Sequence, residues 1–283
     1  MISVRSMAVF AAVLLALSLW LRPVIGRLGK PPQGNLSVST SAEKLADPPP
    51  STAVVPSEPI EHLRAVAAAI FEATNRERRK ERLPVLAEEP QLAEIATAHS
   101  DNMLVRHFFD HVDPDGVAPA DRVARGHRTL VGTSAENIWM GSGFPTDDAV
   151  ALGNEIVESW MGSRGHRENI LRRELTHLGV GVSLAGDEIR ATQLFGGVWG
   201  YLSTPLPKTL ARGGALKLAF EPYNGRPAAE RIDLFAEGRP RWGPRGIETP
   251  NLEAPNGRYL MRFYFPREGG YTISYGPEVE IAP

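Results

Sequence analysis

Three residues stand in contexts that could carry chemistry: His111 in FFDHVDPDG, Glu136 in TSAENIW and His166 in GSRGHREN. His166 falls near the third position of a helix if Ser163 is the cap. The positive end of a helix disfavours imidazolium, so His166 should stay neutral. A neutral imidazole is what a metal ligand or a proton acceptor needs. Asn169 follows three residues later and shares a helix face with His166. Each residue also has a structural reading: the two histidines could bond loop backbone, Glu136 could brace the turn before NIW, and Asn169 could brace a loop.

Ser163 invites a serine-nucleophile reading, but that chemistry needs a base, an orienting acid and an oxyanion hole. At a cap position its oxygen would be occupied by the backbone N–H of His166. MGSRG is also not the G-x-S-x-G elbow. The chain has no H-E-x-x-H, P-loop, G-x-G-x-x-G or EF-hand pattern. His99 lies on an apolar helical face and reads as a core histidine; His62, His107, His127 and His177 read as surface or packing residues.

Several elements must position these groups. EHLRAVAAAIFEATNRERR places Leu63, Val66, Ala67, Ile70 and Phe71 on one helical stripe, ended by Pro84. The run NRERRKER interleaves Arg with Glu and reads as the solvated end of that helix. A second helix is expected over about 89–106, with Pro90 in its first turn. A third is expected over 147–161, capped by Thr146 and burying Val150, Val157 and Trp160 or Met161. Ser163 is expected to cap a short fourth helix. Trp139, Trp160 and Phe195 read as core. HLGVGVSL, AGDE and IRATQLFG form a hairpin pattern in which Leu178, Val180, Val182 and Leu184 alternate. Beyond Tyr201, short alternating runs are split by Pro and Gly, with Asn256-Gly257 and Gly269-Gly270 as hairpin turns.

The chain has 283 residues and a formal charge of -2, which gives no positive field for a nucleic-acid partner. The absence of cysteine excludes disulfides, thiolate metal sites and a lipobox. Arg5 precedes the apolar run MAVFAAVLLALSLWL, an export segment over 1–29 that is short for a membrane span of roughly 20 residues. A cleaved signal peptide and an uncleaved membrane anchor both remain open. Residues 30–59 are rich in Pro, Ser and Thr and read as a linker. An α+β domain follows over 60–201, then an all-β, sandwich-like domain over 202–283.

FFDHVDPDG, AENIWMG, ESWM-SRGHRENIL (Gly162 at the hyphen) and HLGVGV with ATQLFG occur in that order between Ile60 and Tyr201. They resemble the signature of the CAP superfamily of cysteine-rich secretory, antigen 5 and pathogenesis-related 1 proteins, and above all its cysteine-free bacterial branch. The resemblance implies an α-β-α sandwich with a cleft floored by two His and two acids, where some members bind zinc or another divalent ion. Carried over, His111 and His166 are the cavity histidines and metal ligands, and Glu136 is the first acid. Ser163 stands where the second acid is expected. With one carboxylate, water or Ser163 would have to complete a metal shell; Glu155 and Glu158 are the other acids at hand.

The expectation is therefore an exported, envelope-associated protein, periplasmic or extracellular. Its ligand cleft comprises His111, Glu136, Ser163, His166 and Asn169, and its ligand is a small molecule, lipid or cell-wall component. A protein partner would dock on the β-rich domain. The alternative is a metal-assisted hydrolase of peptide or wall material, with His111 and His166 on the metal and Glu136 as general base.

Overall fold

The computed structural model describes residues 57–143, 148–237, 242, 248–249 and 252–283. The expected export segment, nearly all of the linker and the proposed Thr146 cap lie outside the described residues. Among those described, no helix is long and apolar enough to cross a membrane.

The elements run α1 (Ser57–Lys80), β1 (Ala87–Glu88), α2 (Pro90–Val105), α3 (Pro119–Gly126), β2 (Leu130–Ser142), α4 (Ala149–Gly162) and α5 (Arg164–Ile170). There follow β3 (His177–Ala185), β4 (Glu188–Leu202), β5 (Thr209–Ala211), β6 (Leu216–Lys217), β7 (Phe220–Pro222), β8 (Arg231–Phe235), β9 (Glu248–Thr249), β10 (Gly257–Arg267) and β11 (Gly270–Ala282). Nine strands form one sheet in the order β1-β3-β4-β2-β11-β10-β8, with β5 on β11 and β7 on β4; β6 and β9 pair separately.

Alternation along β3 sorts the helices onto two faces. Leu178, Val180 and Val182 pack with Val66 and Ile70 of α1 and with Ile156 and Trp160 of α4. Burying each such side chain contributes about 1.5–3 kcal/mol. On the opposite face, Gly179 and Gly181 let the α2 backbone lie flush on the sheet. A Cβ on Gly179 would sit 2.1 Å from the Ala93 nitrogen, and one on Gly181 2.1 Å from that of Thr97. Leu92 and Ala96 of α2 then share a second core with Val123 of α3 and with Leu194 and Val198 of β4. Helices thus cover both faces of the β3–β4–β2 region, an α-β-α sandwich.

Trp139, Trp160 and Phe195 are core residues, as expected, but Leu184 is 37% exposed. The third helix starts at Ala149, where Asp148 accepts the Ala151 N–H at 2.9 Å. Val150, in the first turn, is 63% exposed, while Val157 and Trp160 are buried. Ser163 does occupy the cap position of α5, but its side chain makes no capping bond and is exposed.

NRERRKER is not wholly solvated. Arg78 is completely buried and donates to the carbonyls of Pro84, Ile170, Arg172 and Leu175. One guanidinium fork thereby ties the end of α1 to the α5–β3 connection, a geometry that only Arg can satisfy.

The C-terminal strands are joined to this sheet. β4 runs through Tyr201 to Leu202 and carries β7, while Tyr275 of β11 pairs with Gly132 of β2. Phe263, Phe265, Tyr259 and Ile281 centre a separate core cluster with Leu202 and Leu234. The β10–β11 hairpin closes at Gly269-Gly270, with Gly269 at φ 74°. Asn256-Gly257 instead leads into β10 and closes no hairpin.

Candidate functional site

β2 pairs with β4 along its whole length, whereas β11 meets it at Gly132. Beyond Gly132 its outer edge has no strand beside it among the described residues. The helix layers meet around that edge. Side chains satisfy its outward carbonyls: Asn169 Nδ2 donates to Glu136 O at 3.1 Å, and Trp160 Nε1 to Ile138 O at 2.9 Å.

Glu136 sends its side chain towards the α2–α3 layer, and only 2% of it is exposed. Both of its oxygens are engaged. Oε1 lies 2.8 Å from His111 Nδ1, and Oε2 accepts from Arg122 Nη2 at 2.7 Å. Arg122 Nη1 also donates to the carbonyls of His111 (3.0 Å) and Val117 (2.9 Å), so one guanidinium holds both the carboxylate and the His111 loop. Within the loop, Asp113 Oδ1 accepts the N–H groups of Asp115 and Val117. This is local turn chemistry of the kind Asp favours.

His99 belongs to this cluster, although its position on an apolar face suggested only core. It is 1% exposed, and its Nε2 donates to Asp110 O at 3.1 Å while lying 3.9 Å from Glu136 Oε1. Its Nδ1 is buried without a partner among the described residues. Burial keeps His99 below its ordinary pKa, against the opposing pull of Glu136.

Asn137 turns to the other face, bonding the His166 carbonyl at 3.1 Å and Gln193 Oε1 at 3.0 Å. Asn169 Nδ2 also bonds Asn137 Oδ1 at 2.9 Å, so Asn169 braces β2 against α5. This network fixes the backbone that carries His166, while the imidazole itself is half-buried.

The two histidines are biased in opposite directions. The hydrogen bond to Glu136 raises the pKa of His111 above its usual value, against the cost of burial. Burial, with His111 nearby, lowers that of His166. The side chain of His111 is 44% exposed; with Nδ1–H on Glu136, its Nε2 donates when the ring is protonated and accepts when it is neutral. His166 faces the same region as a neutral acceptor. The pair can hold an oxygen-bearing ligand or shuttle a proton.

The donor set does not suit a divalent ion. Among the described residues, no group of three or more His, Asp or Glu side chains could hold a metal. Glu136 has both oxygens engaged, one of them by a guanidinium whose charge opposes a cation. Ser163 is exposed on the cap, and Glu155 and Glu158 lie on the exposed side of α4. The residues therefore do not fit a closed metal centre.

Sequence reasoning missed Arg122 and His99. ADRVARG gave no sign that Arg122 meets Glu136 14 positions away. A second buried polar group was also missed: Glu89 accepts from Tyr201 OH at 2.7 Å and lies 3.4 Å from His127 Nε2. Although burial opposes it, these partners bring Glu89 down to about 2.

Residues 71–195 match the family model CAP, the cysteine-rich secretory protein family. This region is a CAP domain. The chain is 32% identical over 160 residues to the uncharacterized protein YkwD of Bacillus subtilis, covering 56% of this chain and 59% of that protein. It is 35% identical over 113 residues to the uncharacterized membrane protein YlbC of the same organism, covering 40% of this chain and 30% of that one. The chain thus spans less than two thirds of both curated relatives. Among solved structures, an extracellular SCP-domain protein of Bacillus anthracis is 31% identical, with a TM-score of 0.42, covering 51% of this chain and 44% of that one. A cysteine-rich secretory protein of Staphylococcus aureus is 23% identical, with a TM-score of 0.37, covering 49% and 40%.

Proposed function

We propose that this is an exported CAP-domain protein whose His111–Glu136–His166 site binds an oxygen-rich envelope ligand, a wall fragment bearing carboxylate or carbonyl groups. The 2.8 Å contact between His111 and Glu136 carries the reading, because it holds Nδ1, leaves Nε2 for a ligand and favours the protonated ring, in which Nε2 donates. Glu136 acts as a positioning residue for His111, and His166 supplies the neutral acceptor. Export rests on the apolar segment behind Arg5.

Calorimetric titration of the full chain with muramyl dipeptide tests the reading. Binding should weaken at least about tenfold in His111→Ala, a difference of ~1.4 kcal/mol. Equal affinity in the two proteins would refute it. Zinc titration of the same samples tests the competing metal reading, in which stoichiometric zinc is lost in a His111→Ala/His166→Ala variant.

Hydrolysis is a second reading, favoured by the opposed bias of the two imidazoles. His111 would protonate the leaving group and His166 would accept a proton from water. A bell-shaped rate profile that loses its acidic limb in His166→Ala would support it, and no turnover of wall peptides would dismiss it.

A further inference from the structure

A groove of about 980 Å³ runs along the outer edge of β3, with β4 between it and β2, the strand that carries Glu136. Leu63, Ala67 and Phe71 of α1 wall one side, and Ala93, Thr97 and Ala98 of α2 the other. Leu178, Val180 and Val182 of β3 also line it.

That edge is only partly covered. β1 pairs with β3 at His177 and Leu178, and the chain then enters α2 at Pro90. The Leu178 carbonyl accepts the Glu89 N–H at 3.1 Å, so residues of its parity aim their backbone groups outward. Val180 and Val182 share that parity. Among the described residues, no strand pairs with them on that side, and their outward groups repeat at about 6.6 Å. Exposed sheet edges are usually guarded by Pro, Lys or a bulge. Here Val180–Val182 has none of these.

The rim is acidic. Glu72, Glu88, Glu94 and Asp101 line the groove with Arg64 as the sole base. Glu72 pairs with Arg79 at 3.7 Å, whereas Glu88, Glu94 and Asp101 have no ion partner among the described residues.

We propose that this groove binds an extended peptide segment of a partner protein, rich in Lys or Arg, which adds to β3 as a strand at Val180 and Val182. Main-chain bonds to the open edge provide attachment, alternate side chains fill the apolar walls, and the acidic rim selects cationic residues. An acyl chain would use the walls alone. It would leave the edge donors and acceptors unmatched and gain nothing from the rim.

The test uses the full chain and the probe acetyl-Lys-Val-Lys-Val-Lys-Val-Lys-amide. Titration calorimetry should show binding, and amide exchange by NMR should slow about tenfold or more at Val180 and Val182. Glu94→Lys/Asp101→Lys, both at exposed positions, should keep the fold by circular dichroism and weaken the probe at least about tenfold. A probe N-methylated at alternate residues should not bind, while His111→Ala should bind the normal probe unchanged. Failure of the probe to bind, or binding without protection of those two amides, would overturn the proposal. So would indifference to charge reversal, or displacement of the probe by sodium palmitate.

Discussion

His111 Nδ1 and Glu136 Oε1 lie 2.8 Å apart, and this contact biases the half-exposed imidazole towards its protonated form. The hydrogen bond raises the folded-state pKa of His111. Its stabilising contribution is therefore complete below the unfolded value of about 6.5 and is lost as pH rises through the raised folded value. An NMR titration should find His111 above that reference and His166, lowered by burial, beneath it. Glu136→Gln should return His111 towards the reference value. If His111 titrates no higher than His166, the site reading is wrong.

Glu136 and Arg122 are nearly enclosed, with 2% and 11% of their side chains exposed. Removing the carboxylate strands the guanidinium. Urea unfolding should show Glu136→Ala destabilised by about 3 kcal/mol. A loss under about 0.5 kcal/mol, typical of a surface substitution, would mean that the pair braces nothing.

Local sequence chemistry made the β3–β4 hairpin and every helix but α3 legible, because periodicity and turn residues act over a few positions. Tertiary chemistry stayed hidden. Arg122 reaches Glu136, and Arg78 reaches Leu175 from 97 positions away; neither spacing leaves a mark in a single sequence. Ser163 shows the opposite failure. Its residue type fits a cap and its position is the cap, yet the side chain makes no capping bond.

Two cap substitutions should therefore diverge. Asp148 accepts the Ala151 N–H at 2.9 Å, so Asp148→Ala should cost about 1 kcal/mol. Ser163→Ala should fall within about 0.5 kcal/mol of the parent. Thermal melts of both variants beside the parent decide the matter. Equal losses would restore Ser163 as a cap.

Gly179 and Gly181 set how closely α2 approaches β3. An added Cβ at either would lie 2.1 Å from an α2 backbone nitrogen, and a helix cannot yield as a flexible side-chain tip can. Gly181→Ala should cost about 3 kcal/mol or prevent folding. Gly165→Ala meets nothing within 4 Å and serves as the tolerated control. Similar urea midpoints for the two variants would show that the layers separate more easily than this packing implies.

Arg78 and Arg79 are neighbours in sequence with opposite roles. Arg78 is fully buried and its planar fork bonds carbonyls from Pro84 to Leu175, whereas the side chain of Arg79 is 54% exposed beside Glu72. Lysine would keep the charge of Arg78 but offers one nitrogen with three donors, so several of those carbonyls would lose their partner in the interior. Arg78→Lys should lower stability by about 3 kcal/mol, while Arg79→Ala changes it by less than about 0.5 kcal/mol. Amide exchange should also quicken over 170–176 in Arg78→Lys, because that connection is held to α1 through the same fork. If Arg78→Lys matches Arg79→Ala in both measurements, packing rather than the guanidinium holds the α5–β3 connection in place.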